Sequence, residues 1–284
     1  MKTHAGKRSL ATHWGAAAAV CLSLILVCGI AGPAHAVATS NRCDFATMIS
    51  IRGTGEAAGS GTAHGGRTYA SGGAGATLNN LIGYANREPN IPFYQEAINY
   101  PAVALDVNNP QAKDYLASLQ YGATNLANEI NDLVANCPYT NILLAGYSQG
   151  ADVIGQVIGA YRSTSITVPA LRPGSFQQLK SVMLFGDPHY RPGEVWDAAG
   201  NGTANGVFVS PAGQFQYAKR LTWLPPSYQV QGYVTTVRSY CFAGDFFCQS
   251  TFTAAGLTVH GSYGASSAMG DAWSFTLNAL IDFE

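Results

Sequence analysis

The stretch GYSQG, residues 146–150, sets one serine between two glycines, after the apolar run NILLAGY and before a helix-forming run. A serine hydroxyl attacks a carbonyl only weakly unless a base takes its proton. The G-x-S-x-G spacing suits that chemistry when the serine occupies a sharp strand-to-helix turn, because side chains at the two glycine positions would strike neighbouring backbone. The pattern occurs once in the chain. It puts Ser148 at a helix N-terminus, where developing negative charge is favoured.

A base must come next. Downstream of residue 36 the histidines are His64, His189 and His260. Strand–turn–helix hydrolases order their groups as serine, acid, histidine, which disfavours His64. His260, in LTVHGSYG, is expected in a loop between the last strand and the C-terminal helix, and is the base we select. His189 follows a strand directly and leaves only Asp187 or Asp152 as its acid. For His260 the acid is Asp245, between Cys241 and Cys248 and 15 residues before the histidine. Asp187 reads instead as a turn residue before Pro188. Asp152, one helical turn after the serine, reads as a solvated or helix-end carboxylate. The attacked carbonyl becomes an oxyanion and needs preformed donors. The N–H of Gln149 is one. Thr54, in the sharp turn of ISIRGTGE after the first strand, offers an N–H and a hydroxyl as the other.

The elements that must position these residues are legible in outline. The chain has 284 residues, 47% apolar and 11% charged, which argues against a disordered or nucleic-acid-binding protein. Lys2, Lys7 and Arg8, a long apolar run and the small residues of AHA at 34–36 read as an export signal cleaved after Ala36. The remaining residues 37–284 then carry twelve Lys/Arg against sixteen Asp/Glu, a net charge of −4. Four of the six cysteines, Cys43, Cys137, Cys241 and Cys248, lie beyond the signal. An even number in an exported chain suggests two disulfides. Three pairings are possible; proximity around FAGDFF joins Cys241 to Cys248 and leaves Cys43 for Cys137. No cysteine spacing suits a metal, and the chemistry needs neither metal nor cofactor.

Short apolar runs at 47–53, 96–100, 141–147, 181–187 and 233–240 read as strands buried on both faces. Helical periodicity over 75–87, 113–136, 149–160 and 271–283 alternates with them. This predicts one α/β domain with a parallel sheet covered on both sides. Residues 188–232 break the rhythm with five prolines and many aromatics. They read either as a flap on the domain edge or as a rim beside the site, with a small hairpin around GVFVSPAGQFQY.

Together RGTGE, GYSQGA at 146–151, CFAGDFFC at 241–248 and HGSYG at 260–264 resemble the cutinase family of serine esterases, which includes fungal acetylxylan esterases and secreted actinobacterial relatives. The resemblance covers most of residues 42–284. It implies a compact α/β-hydrolase with a five-stranded parallel sheet and helices on both faces. It implies Ser148, Asp245 and His260 as a triad, Thr54 and Gln149 as the oxyanion hole, and disulfides Cys43–Cys137 and Cys241–Cys248. The implied activity is hydrolysis of cutin-type polyesters or short- to medium-chain esters by a secreted monomer. Substrates presented as an insoluble polyester, an acylated polysaccharide or a lipid surface are all compatible; nucleic acid and a stable membrane span are not. Carbohydrate deacetylation is the first alternative. Cleavage of cell-envelope mycolyl esters is another, since GDPHYRPG resembles phage and mycobacterial enzymes of that kind. An inactive binding module on a hydrolase scaffold is the third. The 188–232 segment is longer than small cutinases carry, which leaves substrate preference open.

Overall fold

A computed structural model describes residues 42–59, 63–64, 67–68, 73–106, 108, 112–224 and 230–281. The export signal expected at 1–36 lies outside the described residues. The elements run β1 (Ala46–Ile51), β2 (Ala63–His64), β3 (Arg67–Thr68), α1 (Gly75–Ala85), β4 (Phe93–Ala97), α2 (Lys113–Asn136) and β5 (Asn141–Tyr147). They continue with α3 (Gln149–Ile158), α4 (Ser175–Gln178), β6 (Leu179–Phe185), β7 (Lys219–Leu224), β8 (Val230–Thr235), β9 (Val237–Tyr240), α5 (Ala254–His260) and α6 (Ala268–Ile281). Five strands form one parallel sheet in the order β4-β1-β5-β6-β9.

The two-residue period of a strand explains why these runs are apolar throughout. Ile142 and Leu144 of β5 face one core with Ile49 and Ile51 of β1, Val182 and Leu184 of β6, and the apolar stripes of α2 and α3. Leu143 and Ala145 face the other core with Met48, Met183 and the stripes of α1 and α6. Both layers bury large side chains, including Leu126, Leu133, Leu78 and Leu81, each worth about 1.5–3 kcal/mol when removed from water.

Chain order across the sheet reverses between β1 and β5. In an open parallel sheet, such a reversal opens a crevice at the carboxyl ends of the two strands. Register pairs Ile51 with Gly146, so the loop after β1 and the turn after β5 emerge side by side.

Four expectations are corrected. The fifth strand does not run from 233 to 240 as one piece. Val230–Thr235 pairs antiparallel with Lys219–Leu224 in a separate hairpin, and only Val237–Tyr240 joins the sheet. The Thr235 hydroxyl accepts the N–H of Val237 at 3.0 Å and turns the chain between them. The expected hairpin around GVFVSPAGQFQY is a run of bends and turns instead. The second sheet strand lies at Phe93–Ala97, upstream of the expected 96–100. Finally, His260 does not sit in a loop. It ends α5, a helix capped by the Thr253 hydroxyl, which accepts the N–H of Gly256 at 3.0 Å.

The 188–218 connection closes the far edge of the sheet. Ser239 of β9 donates to the Trp196 carbonyl at 2.8 Å, and Ala198 donates to Ser239 at 2.9 Å. Trp196 and Phe215 complete the first core. An edge covered this way offers no unpaired strand to another chain.

Candidate active site

Ser148 has φ 53° and ψ −118°, a conformation that costs a non-glycine residue of order 1–3 kcal/mol. The surroundings hold it there. Its N–H donates to the Phe185 carbonyl at the end of β6 at 2.8 Å, and its carbonyl accepts from Ala151 and Asp152 in the first turn of α3. A methyl group at Gly150 would lie 2.0 Å from the Ile51 carbonyl oxygen, and one at Gly146 would lie 2.6 Å from the Gly150 oxygen. Both glycines are therefore required by close backbone approach.

The RGTGE loop is braced by Glu56. Its carboxylate accepts the N–H of Gly53 and that of Thr77, each at 2.8 Å. Gly55 donates to the Ala102 carbonyl at 3.1 Å. Arg52 is buried, donates through Nε to the Glu56 carbonyl at 2.7 Å, and lies over the Tyr100 ring. Both neighbours of Thr54 are thus tied down. Gln149 opens α3, where the first N–H groups of a helix have no intrahelical acceptor. Its side chain turns away, accepting from the Ser118 hydroxyl at 3.3 Å, so any role at the site belongs to its backbone.

His260 Nδ1 and Asp245 Oδ2 are 2.8 Å apart. That bond occupies Nδ1 and leaves Nε2 as the nitrogen for proton exchange. The imidazole stacks on Tyr147, with ring centres 5.0 Å apart, and meets the edge of Phe247 at 4.7 Å. Tyr147 also donates its hydroxyl to the His260 carbonyl at 2.9 Å. Tyr147 is the residue before Ser148, so the packing that orients the imidazole grows from the turn that carries the serine. Gly186, next after the residue that holds the Ser148 N–H, packs against the same ring; a methyl group there would lie 2.8 Å from Cε1. Serine and histidine therefore share the end of β6 as a platform.

Asp245 is fully buried with four donors around it. Oδ1 accepts the N–H groups of Phe247 and Cys248 at 2.7 and 2.8 Å, and Oδ2 accepts from the Tyr263 hydroxyl at 2.9 Å besides facing His260. Cys241–Cys248 closes the loop that carries it, and Cys43–Cys137 joins the start of β1 to the end of α2. The pairings expected from the sequence are present. Tyr263 appears in the sequence only as the fourth position of HGSYG; its bond to Asp245 is a role sequence reasoning missed. Burial, with Asp245 beside it, pushes its phenol well above the ordinary range, so it stays a donor.

His189, Asp187 and Asp152 do not join this cluster, and Asp152 is no solvated carboxylate. It is fully buried, accepts from Tyr115 at 2.7 Å and Gln156 at 2.9 Å, and pairs with His189 Nε2 at 3.2 Å. His189 Nδ1 meets the Ser210 hydroxyl at 2.9 Å, and its ring packs on Phe208. The network fastens the 188–218 connection to the helix behind the serine. Val207 also bonds to the Phe247 carbonyl at 2.9 Å, so the connection both covers the sheet edge and passes the site. Burial alone would push the Asp152 carboxyl up, but His189 and the donated hydrogen bonds outweigh it and hold it low. Burial likewise opposes charge on His189, and Asp152 overrides it to raise the imidazole. Asp187 accepts the His189 N–H at 2.8 Å, as a turn residue should, yet burial pushes its carboxyl up to about 6. Among the described residues, no group of His, Cys, Asp and Glu is arranged to hold a metal.

A family model described as Cutinase matches residues 42–280. Acetylxylan esterase 2 of Talaromyces purpureogenus is 28% identical over 209 residues, 71% of this chain and 80% of that protein. Cutinase 11 of Verticillium dahliae is 30% identical over 177 residues, 61% of this chain and 55% of that one. Among solved structures, the catalytic core of an acetyl xylan esterase from Trichoderma reesei aligns with a TM-score of 0.60 at 25% identity, covering 84% of this chain and 99% of that one.

Proposed function

The chain belongs to the cutinase family and is a carboxylic ester hydrolase, and from that premise we propose that it is a secreted serine esterase working through Ser148, His260 and Asp245. The observation that carries this reading is the Asp245–His260 bond at 2.8 Å, on an imidazole stacked against the residue that precedes the strained serine. His260 Nε2 takes the Ser148 proton as Oγ bonds to the ester carbonyl carbon. The N–H groups of Thr54 and Gln149 receive the oxyanion. Collapse breaks the bond to the alcohol oxygen, which leaves with the proton from His260, and an acyl-serine remains. Water then repeats the sequence and releases the acid. Asp245 keeps the imidazole in the reactive tautomer and stabilises its charged form. Residues 1–36 serve as the export signal.

The ester class we favour is aliphatic, of short to medium chain or in a polyester. Leu257, one turn before His260 on α5, and Phe252, just ahead of that helix and packed on Phe246, are about half exposed, and Val209 on the 188–218 connection is more so. Such an apolar rim suits an acyl chain. A second reading, removal of acetyl groups from a polysaccharide, is supported by the acetylxylan esterases among the relatives.

Hydrolysis of p-nitrophenyl esters from acetyl to palmitoyl, beside acetylated xylan and cutin, separates the two. The aliphatic reading expects kcat/KM to peak between butyryl and octanoyl, with little release from acetylated xylan. A maximum at acetyl together with rapid deacetylation of xylan would select the second. Ser148→Ala should abolish turnover of p-nitrophenyl butyrate; equal rates for wild type and variant would end the serine reading.

A further inference from the structure

Two backbone N–H groups on separate loops, those of Thr54 and Gln149, have to face one developing oxyanion, and they stabilise it only if both are aimed beforehand. Strand register brings the two loops together, since Ile51 pairs with Gly146. Their final orientation depends on what holds them beyond the strand ends. The segment that follows β4 lies against the first loop at two points. The Tyr100 hydroxyl donates to the Arg52 carbonyl at 2.6 Å, and the Ala102 carbonyl accepts the N–H of Gly55 at 3.1 Å. Gly55, with φ 72°, sits inside the turn that Glu56 closes by donating to the Gly53 carbonyl at 3.3 Å. The Gly55 N–H belongs to the peptide that leaves Thr54, so the Ala102 carbonyl fixes the rotation of that peptide.

Ala102 has φ 54°, a left-handed conformation that strains a residue bearing a side chain. The strained residue turns the Ala102–Val103 peptide so that both of its polar groups are used. Its oxygen meets Gly55, and its N–H, that of Val103, donates to the Ser118 hydroxyl at 3.1 Å. A peptide is planar, so holding one of its ends holds the other. Ser118 is buried in α2. A hydroxyl has one proton to give, and Ser118 gives it to Gln149 Oε1 at 3.3 Å. Gln149 Nε2 is buried and meets no hydrogen-bond partner among the described residues, so Ser118 supplies the polar anchorage of that amide. One hydroxyl thus stands between the peptide that braces the Thr54 loop and the residue that opens α3 behind Ser148.

A buried N–H such as that of Val103 needs an acceptor, and a hydroxyl can meet that need anywhere in a fold. What singles out Ser118 is its second bond, which carries the link on to the other donor residue. We propose that Ser118 is a positioning residue for the oxyanion hole. Through the Ala102–Val103 peptide and the Gln149 amide, it keeps the Thr54 and Gln149 N–H groups aimed at one point. It touches no substrate. The inference rests on the reading of Thr54 and Gln149 as the oxyanion donors of a Ser148 esterase.

The test is steady-state hydrolysis of p-nitrophenyl butyrate by the full-length mature protein carrying Ser118→Ala, Gln149→Met or both. Ser118→Ala deletes the hydroxyl from a helix that accepts alanine readily. Gln149→Met keeps the volume of the side chain and drops the amide. Each should lower kcat about tenfold with KM within about twofold of wild type, because misaimed donors fail the transition state and not the bound ester. The double variant should also lose about tenfold, not about a hundredfold, since both changes cut the same link. Gln149→Met shows the split by itself, so the test survives a Ser118→Ala that fails to fold; circular dichroism reports folding. A role confined to stability would lower the urea midpoint and leave kcat at the wild-type value. That result, a matching rise in KM, or multiplied losses in the double variant would overturn the proposal. Ser148→Ala separates it from the reading beneath. Inactive Ser148→Ala beside unimpaired Ser118→Ala and Gln149→Met removes this inference alone, whereas Ser148→Ala as active as wild type removes both.

Discussion

Asp245 and Asp187 are two buried carboxyls whose surroundings assign them different work. Asp245 has four donors and faces His260. Tyr263 supplies one of those donors, so Tyr263→Phe should lower kcat about tenfold while KM for p-nitrophenyl butyrate stays within about twofold. A parallel rise in KM, or an unchanged kcat, would deny it a positioning role. Asp187 has its carboxyl raised from 3.8 to about 6 by burial. The unfolded chain ionises this group near pH 4, whereas the folded chain resists until about pH 6. Stability therefore falls as pH rises through that window, by about 3 kcal/mol for this one group. Asp152, held low, opposes this decline near pH 4, where the unfolded chain still gives up its proton, and His189, held high, adds to it only as pH approaches the ordinary imidazole range. Asp187→Asn should flatten the decline in urea midpoint between pH 4 and pH 6; curves of equal slope would contradict the assignment. The sharp turn at Ser148 and the pairing of Asp245 with His260 were legible because motif and chain order constrain them. The Asp152–His189–Ser210 network was not, since its partners are 21 to 58 residues apart and no local pattern joins them.

At the scale of elements, short covalent and backbone constraints do most of the positioning. Cys241–Cys248 closes an eight-residue loop around Asp245. Opening so small a loop costs about 2–3 kcal/mol by chain entropy. The larger effect should fall on catalysis, because Phe247 and Cys248 lend their N–H groups to the carboxylate from inside that loop. Cys241→Ser/Cys248→Ser should thus lose activity at temperatures where circular dichroism still reports folded protein. Activity that survives until the unfolding transition would show the disulfide to be a stabiliser only. Two of the misread elements share one cause: side chains from single positions redirect the chain. Thr235 caps the turn that splits YVTTVRSY, and Thr253 caps the helix that ends at His260. Apolar periodicity carries no sign of either. The long helix α2 and the buried strands β1, β5 and β6 read well because their packing repeats over several residues.

For the molecule as a whole, strand order places the proposed site. The reversal between β1 and β5 sets RGTGE beside GYSQG, and the edge strand β9 is followed by the loop and helix that bring Asp245 and His260 to the same end. Sequence pattern indicated a parallel sheet; which strands adjoin is settled by long-range pairing that periodicity does not encode. The family match over residues 42–280 agrees with that architecture. The account stands on one convergence, that the imidazole at 260 activates the hydroxyl at 148. Reaction with diethyl p-nitrophenyl phosphate, followed by peptide mass spectrometry, measures it directly. One diethylphosphoryl group should appear on the peptide containing Ser148 in step with lost esterase activity, and His260→Gln should slow its appearance about a thousandfold. A label on any other residue, or labelling of Ser148 at the same rate without the imidazole, would contradict the account.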